Sequence, residues 1–168
     1  MLLEELFARH QTELFRYVAR FTGDADLAED VVQDVFVRLA ERPPRRDDQM
    51  RAWLYRVATN LAVDHARGAK RRLKLVEGRP DRLPMGEPPE DPAARVVRDE
   101  ERRMVRGALA ELSEKERAVL LMREEGFAHR EIAEAVGTTT GSVGTMIARA
   151  LDKLARRLNL DAQHKEDR

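Results

Sequence analysis

Apolar residues recur every three or four positions along most of this chain, and this spacing predicts helices almost from end to end. In the first third of the chain the pattern is interrupted only at Gly23 and at Pro43 and Pro44. Three helices are therefore predicted. The first covers about residues 2–21, the second follows a cap at Asp24 or Asp26, and the third covers about residues 50–72. The positions predicted to be buried in the first two are Leu6, Phe7, Leu14, Phe15, Val18, Leu27, Val31, Val32, Val35, Phe36 and Leu39.

A second pattern, over residues 130–158, predicts two short helices joined by a tight turn at Gly137. The buried positions predicted on these two helices are Ile132, Ala133, Val136, Val143, Ile147, Leu151, Leu154 and Leu158. The opposite face of the second helix carries Ser142, Thr145, Arg149, Lys153 and Arg156. Small donors followed by cations are typical of the second helix of a helix-turn-helix, which contacts base edges first and phosphates later. A plain helical hairpin with a solvated face is the alternative.

Ser113 and Glu116 have the spacing of a capping box and predict one more helix before this pair. Five of the seven prolines lie between residues 80 and 92, where no helix can continue. We therefore predict an all-α fold of two small helical domains joined by a Pro-rich linker, the C-terminal domain containing a helix-turn-helix. The predicted boundaries are residues 1–73, 74–92 for the linker, 93–160, and 161–168 for a tail.

Charge is balanced overall, with 31 basic and 31 acidic residues, but it is unevenly distributed. Residues 1–50 contain eleven acids against seven bases, whereas residues 51–79 contain eight bases against two acids. The absence of cysteine excludes disulfides and thiolate metal sites. No apolar run reaches the 18 residues of a membrane span, so we expect a cytoplasmic protein without membrane insertion.

The second predicted helix has an acidic outer stripe that includes Asp30, Gln33, Asp34 and Glu41. Acids near a helix start are favoured by the macrodipole, but Asp34 lies more than a turn inside, where this benefit has decayed. The stripe is either a solvated face or a docking surface for a basic partner.

The third predicted helix places Trp53, Arg56, Asn60, Asp64 and Arg67 in one stripe. Stacking of a base on an aromatic ring contributes about 1–3 kcal/mol in any sequence context, so this surface suits unpaired single-stranded DNA. The basic run that follows, which includes Lys70 and Arg71, is suited to phosphates. The alternative is that Trp53 is a core residue beside Tyr55.

Three segments in this order resemble a bacterial RNA polymerase sigma factor of the extracytoplasmic-function (ECF) group. They read AEDVVQDVFVRL, RAWLYRVATNLAVDHARGAKRR and, after the Pro-rich gap, LSEKERAVLLMREEGFAHREIAEAVGTTTGSVGTMIARALDKL. The resemblance covers about residues 4–158. It implies a transcription initiation factor that binds core RNA polymerase and promoter DNA, with no enzyme activity and no cofactor, and an anti-sigma factor as a further candidate partner.

The resemblance also assigns residues to partners. Asp30, Gln33 and Asp34 match the surface that binds the clamp helices of the polymerase. The −10 element, as duplex and as melted strand, is assigned to Trp53, Arg56, Asn60, Asp64, Arg67, Lys70 and Arg71. The −35 element is assigned to Arg130, Thr140, Ser142, Thr145, Met146, Arg149, Lys153 and Arg156.

The first turns of the recognition helix depart from the family pattern. Many relatives have a lysine, a serine and an arginine where this chain has Gly144, Thr145 and Met146. Arg149 is therefore the first cation of the base-reading end. We expect this change to alter promoter choice and not to abolish DNA binding.

Two other functions fit parts of the sequence. The first is a stand-alone helix-turn-helix regulator, which would bind duplex DNA without polymerase. The second is a metal-dependent nuclease using Glu29, Asp30 and Asp34, since Asp30 and Asp34 lie one turn apart. The four histidines lack metal-ligand spacing and do not strengthen the second alternative.

Overall fold

The computed structural model describes residues 3–73 and 92–166, and within these ranges the side chains of residues 3–46, 48–68 and 98–159. Its helices are α1 (Leu3–Thr22), α2 (Ala25–Glu41), α3 (Met50–Leu73), α4 (Pro92–Ala110), α5 (Glu114–Glu124), α6 (His129–Val136) and α7 (Thr140–Glu166). A short 3-10 turn, Asp47–Gln49, leads into α3. The all-α prediction is confirmed, whereas the predicted linker lies outside the described residues up to Pro92, where α4 begins.

Helices α1, α2 and α3 pack against one another and form the N-terminal domain. Gly23 separates α1 from α2 with a φ of +74°, and the Asp24 side chain caps α2 by accepting a hydrogen bond of 3.0 Å from the Leu27 N–H. The predicted buried stripe of α2 is confirmed, with Leu27 half-buried. Burial of Phe7 was wrongly predicted, because this side chain is 37% exposed and meets Phe36 edge-on at the surface.

Helices α4 to α7 form the C-terminal domain. Ser113 and Glu116 form the predicted capping box, each side chain accepting the other's backbone N–H. Gly137 ends α6 in the left-handed conformation with a φ of +68°, as predicted. The Thr139 hydroxyl then accepts a hydrogen bond of 3.3 Å from the Ser142 N–H and caps α7.

Of the stripe predicted to be buried on α7, Val143 is buried, and Ile147, Leu154 and Leu158 are half-buried. Leu151 was predicted to be buried but is 51% exposed, and Ala150 is buried in its place. Seven residues beyond Val143 lie about 20° from its direction on a helix, whereas eight residues beyond it lie about 80° away. The helix also continues to Glu166, beyond the predicted domain end at residue 160.

The two domains are in contact and share one hydrophobic core. Tyr55 of α3 and Phe127, in the turn before α6, meet at 4.7 Å in an edge-on arrangement, and their exposed fractions are 0% and 1%. Helix α3 packs on α5 and α6, and α1 packs on α5. This contact was not predicted from the sequence, which suggested two domains connected only by a linker.

Candidate nucleic-acid interface

The start of α7 presents the side chains that a helix-turn-helix uses on DNA. Thr140, Thr145 and Arg149 are exposed, whereas Ser142 and Met146 are half-buried. Arg130 is exposed on the neighbouring helix α6. The turn orients α7 because Gly137 ends α6 sharply and Thr139, two residues later, caps α7.

The two later cations of α7 have acidic partners within the C-terminal domain. Lys153 Nζ donates to both carboxylate oxygens of Glu116 at 2.8 Å, and Arg156 pairs with Asp152 at 2.8 Å. Lys153 and the capping box together hold the pKa of Glu116 below its usual value, with Lys153 as the largest cause. A phosphate contact from Lys153 would therefore compete with an existing ion pair.

Gly144 lies on the exposed side of α7, within its second turn. A Cβ at this position would meet only the His129 side chain, at an ordinary contact distance of 3.8 Å. The folded chain therefore has space for a side chain at residue 144, and no neighbouring helix requires the glycine.

The stripe assigned to single-stranded DNA lies on one face of α3, as predicted, but this face is turned toward the C-terminal domain. Trp53 and Arg56 line a cleft with Glu134 and Ala135 of α6. Trp53 is half-buried and packs against the shared core. It is therefore neither the fully buried core residue of the alternative interpretation nor an open stacking platform.

A wider cleft continues along the same face of α3. Asn60, Asp64 and Arg67 line it from the N-terminal side, and Glu114 and Lys115 line it from α5. Arg67 donates a hydrogen bond of 3.0 Å to the Glu114 carboxylate. Lys70 and Arg71 lie on the last turns of α3, but their side chains lie outside the described residues.

The acidic surface of α2 is open to solvent. Asp30, Gln33 and Asp34 are all exposed. The imidazole Nε2 of His65, on α3, lies 3.4 Å from the Asp34 carboxylate on α2. The acidic surface is therefore in contact with the neighbouring helix α3. Exposed apolar residues Leu3, Phe7 and Val37 lie beside Gln33 and extend the surface toward α1.

Two arginines that were not singled out in the sequence bridge the domains. Arg51 lies with its guanidinium carbon 4.2 Å from the centre of the Phe127 ring, and it donates to the Glu13 carboxylate and to the Glu125 carbonyl. Burial is the largest single influence and tends to lower the pKa of Arg51, but the hydrogen bond and charge of Glu13 and the neighbouring Tyr55 together outweigh it, so the pKa is raised. Arg117 donates to the Phe21 carbonyl at 2.7 Å, while partial burial lowers its pKa.

These arginines have no local signal in the sequence because their partners are far away along the chain. Arg51 and Glu125 are separated by 74 residues, and Phe21 and Arg117 by 96.

In the described part of the chain, no three His, Cys, Asp or Glu side chains are grouped so as to hold a metal ion, so the geometry gives the nuclease alternative no support. None of the described helices is long and apolar enough to cross a membrane.

Comparison with known proteins identifies the two domains. Residues 6–72 match the family described as Sigma-70 region 2, and residues 102–154 match the one described as Sigma-70, region 4. The chain is 34% identical over 157 residues to the ECF RNA polymerase sigma factor SigL of Mycobacterium tuberculosis, covering 91% of this chain and 86% of SigL. The chain belongs to the ECF group of the sigma-70 family. It is also 30% identical over 162 residues to the RNA polymerase sigma-H factor of Pseudomonas aeruginosa, covering 91% of this chain and 84% of that protein.

Solved structures have the same arrangement of helices. CnrH in complex with the cytosolic domain of CnrY superposes with a TM-score of 0.69 at 26% identity, covering 95% of this chain and 88% of that chain. RpoE of Bartonella quintana, in complex with the anti-sigma factor NepR, superposes with a TM-score of 0.72 at 18% identity, covering 94% and 97% of the two chains. This ECF sigma factor is thus a transcription initiation factor that acts with RNA polymerase on promoter DNA, and not a stand-alone regulator.

Proposed function

We propose that three separate surfaces of this sigma factor divide the work of promoter recognition. The acidic surface of α2, made by Asp30, Gln33 and Asp34, binds core polymerase. The exposed start of α7 reads the −35 element, and the aromatic and basic face of α3 takes the −10 element and its melted strand. The observation that carries the proposal is the exposure of the α7 face, together with its order of small donors first and cations later.

On α7, Arg149 has the base-reading role. Its side chain is exposed, and it is the first cation after the turn. An arginine contributes about 1–3 kcal/mol of discrimination when it binds a guanine with two hydrogen bonds. The remaining −35 contacts are assigned to Thr140, Ser142, Thr145 and Met146, and the phosphate contacts are assigned to Arg130, Lys153 and Arg156.

On α3, Trp53 supplies the stacking surface, and the amide and charged groups of Asn60, Asp64 and Arg67 supply polar contacts. Unstacking a base costs a few kcal/mol, which one stack and one or two polar contacts are sufficient to offset. The role is recruitment and strand capture, with no covalent step assigned to this chain. We expect it to act in the cytoplasm with polymerase, and we include an anti-sigma factor among its expected partners because the structurally similar sigma factor RpoE was solved with the anti-sigma factor NepR.

Polymerase binding by α2 is tested by replacing Asp30 and Asp34 together with alanine. Both side chains are exposed, so the fold should be retained while affinity for core polymerase falls at least tenfold. Glu101→Ala, which removes an exposed acid from α4, is the control and should bind as the wild type does. Unchanged affinity of the double variant, at a melting temperature equal to that of the wild type, would refute the docking role.

A further inference from the structure

A cleft between the end of α1 and helix α4 concentrates positive charge. Four arginines line it: Arg20 from α1, Arg103 and Arg106 from α4, and Arg117 from α5. None of the described residues that line the cleft is Asp or Glu. Cations that share one cleft repel one another, and a cleft lined by charges of one sign attracts ions of the opposite sign. The composition of the lining therefore favours an anion.

The two arginines of α4 have guanidinium groups that a ligand can reach. Arg103 is exposed and Arg106 is half-buried, and neither has a carboxylate within ion-pair distance in the part of the chain that the structure describes. The Nε of Arg103 donates at 3.3 Å to the Asp99 carbonyl, and this bond does not use the two terminal nitrogens. A guanidinium with both terminal nitrogens free can donate to two phosphate oxygens at once.

Arg117 adds a charge that is only partly compensated within the protein. Its guanidinium donates to backbone carbonyls, including those of Phe21 at 2.7 Å and Leu109 at 2.8 Å. Partial burial is the largest influence on the pKa of Arg117 and lowers it, and the charge of Glu114 only partly offsets this effect. An anion in the cleft would stabilise the charged form of Arg117.

The net charge and the size of the cleft define the kind of anion that fits. Arg20 is already paired, since it donates to Glu124 at 3.0 Å and to Glu125 at 2.6 Å. When these two carboxylates are set against the four arginines, an excess of two positive charges remains. The cleft measures about 290 Å³, which is at the lower end of the range for ligand sites. It therefore suits a compact anion with several negative charges, and not a nucleic-acid duplex.

We propose that this arginine cleft, defined by Arg20, Arg103, Arg106 and Arg117, binds a chain of phosphoryl groups, either as inorganic polyphosphate or as the phosphate tail of a nucleoside triphosphate. Arg103 and Arg106 donate hydrogen bonds to the phosphate oxygens, and the other two arginines supply surrounding positive charge. The arginine cleft shares no residue with the three surfaces assigned to polymerase and promoter DNA, so the inference does not depend on their roles.

The test titrates sodium tripolyphosphate into the full-length chain by isothermal titration calorimetry at constant ionic strength. One variant replaces Arg103 and Arg106 together with glutamine. The matched control replaces Arg42 and Arg45, which are exposed in the loop after α2, together with glutamine. Both variants lose two positive charges. The control positions are separated from Gly23, at the edge of the arginine cleft, by the length of α2, which is about 25 Å.

We expect the wild type to bind tripolyphosphate saturably, the Arg42→Gln, Arg45→Gln control to bind within about twofold of the wild type, and Arg103→Gln with Arg106→Gln to bind at least about tenfold more weakly, because charge-assisted hydrogen bonds are lost. Adenosine triphosphate, titrated in the same way, distinguishes the two sources of phosphate. Tighter binding than that of tripolyphosphate identifies a nucleotide as the ligand, and equal or weaker binding identifies a polyphosphate. With either ligand, the α4 variant should lose affinity.

Three outcomes would overturn the proposal. The first is that neither probe binds saturably to the wild type. The second is an equal loss of affinity in the α4 variant and the control, since binding would then follow net charge and not the arginine cleft. The third is unchanged tripolyphosphate binding in the α4 variant together with weaker binding of the polymerase complex to promoter DNA, which would assign the cleft to a DNA backbone. If circular dichroism shows that the α4 variant does not fold, Arg103→Gln alone, at an exposed position, is judged by the same outcomes.

Discussion

Two helices carry the side chains assigned to promoter DNA, and they differ in what lies against them. The start of α7 faces solvent, with Thr145 and Arg149 exposed. The corresponding face of α3 lines clefts with α5 and α6, where Trp53 is half-buried and Asn60, Asp64 and Arg67 are exposed. The helix assigned to duplex DNA is therefore open at its start, whereas the helix assigned to melted DNA is partly covered at its Trp53 end.

The difference arises from the way each helix uses its apolar residues. Helix α7 packs on its own domain through Val143, Ile147 and Ala150, and Thr145 and Arg149 on its polar face are exposed. Helix α3 has apolar or aromatic residues on adjoining faces, including Leu54, Tyr55 and Trp53. One side of α3 packs within the N-terminal domain, and the next side meets Phe127 of the other domain.

The largest effect on this comparison is expected from Phe127→Ala. Phe127 is 1% exposed, and its ring is in contact with Tyr55 and Arg51. Truncation should lower the free energy of unfolding by about 3–5 kcal/mol in urea denaturation, because it leaves a cavity and an uncovered α3. Leu151→Ala, at an exposed position of α7, should change it by less than about 0.5 kcal/mol. Similar losses in the two variants would contradict the shared core.

Arg149→Ala should have the next largest effect, which is confined to promoter discrimination by α7. Loss of a bidentate guanine contact removes about 1–3 kcal/mol of discrimination between promoter variants, measured by polymerase-dependent binding to matched and mismatched −35 elements. Arg156→Ala is the matched control, for which we expect weaker binding to all sequences and a salt dependence reduced by about one unit. If Arg149→Ala still discriminates between matched and mismatched −35 elements as the wild type does, Arg149 does not read bases.

Gly144→Ala tests whether residue 144 is a glycine for protein stability or for DNA binding. Because an added Cβ meets only His129 at 3.8 Å, alanine should raise the free energy of unfolding by up to about 1 kcal/mol through helix propensity. Affinity for duplex promoter DNA should fall if the bare backbone approaches the DNA closely. Gly137→Ala provides the contrast, since its φ of +68° makes alanine destabilising. A stabilised Gly144→Ala protein with full DNA affinity would show that residue 144 does not contact the promoter.

The smallest effect is expected at the ion pair between Lys153 and Glu116. The pKa of Glu116 is lowered in the folded state, so its contribution to stability is present at neutral pH and is lost as pH falls through that lowered value. Lys153→Ala should raise this pKa, reduce the loss of stability on acidification, and lower the free energy of unfolding at pH 7 by less than about 1 kcal/mol. Urea denaturation of both proteins between pH 3 and pH 7 measures the difference. Identical pH profiles would show that Lys153 does not perturb Glu116.

Local features of the fold were predictable because neighbours in the sequence produce them. The Asp24 cap, the Ser113 and Glu116 capping box and the left-handed Gly137 each depend on residues within four positions. The helical period also predicted that Trp53, Asn60 and Arg67 share one face of α3, and the resemblance of three segments identified the family. Leu151 and Phe7 were assigned to the core wrongly because an apolar residue near the edge of a stripe is buried only if a neighbouring helix reaches it.

What covers that face of α3 could not be predicted, because every contact involved joins residues far apart in sequence. Arg20 meets Glu124 and Glu125 across more than 100 positions, and an arginine or a glutamate alone does not indicate which partner it will find. The sequence by itself determined the helices, their caps and the family, since periodicity and short-range hydrogen bonds are local properties. Only the tertiary structure decided that one DNA-facing helix is open and the other is partly covered, since this depends on how two independently patterned domains pack together.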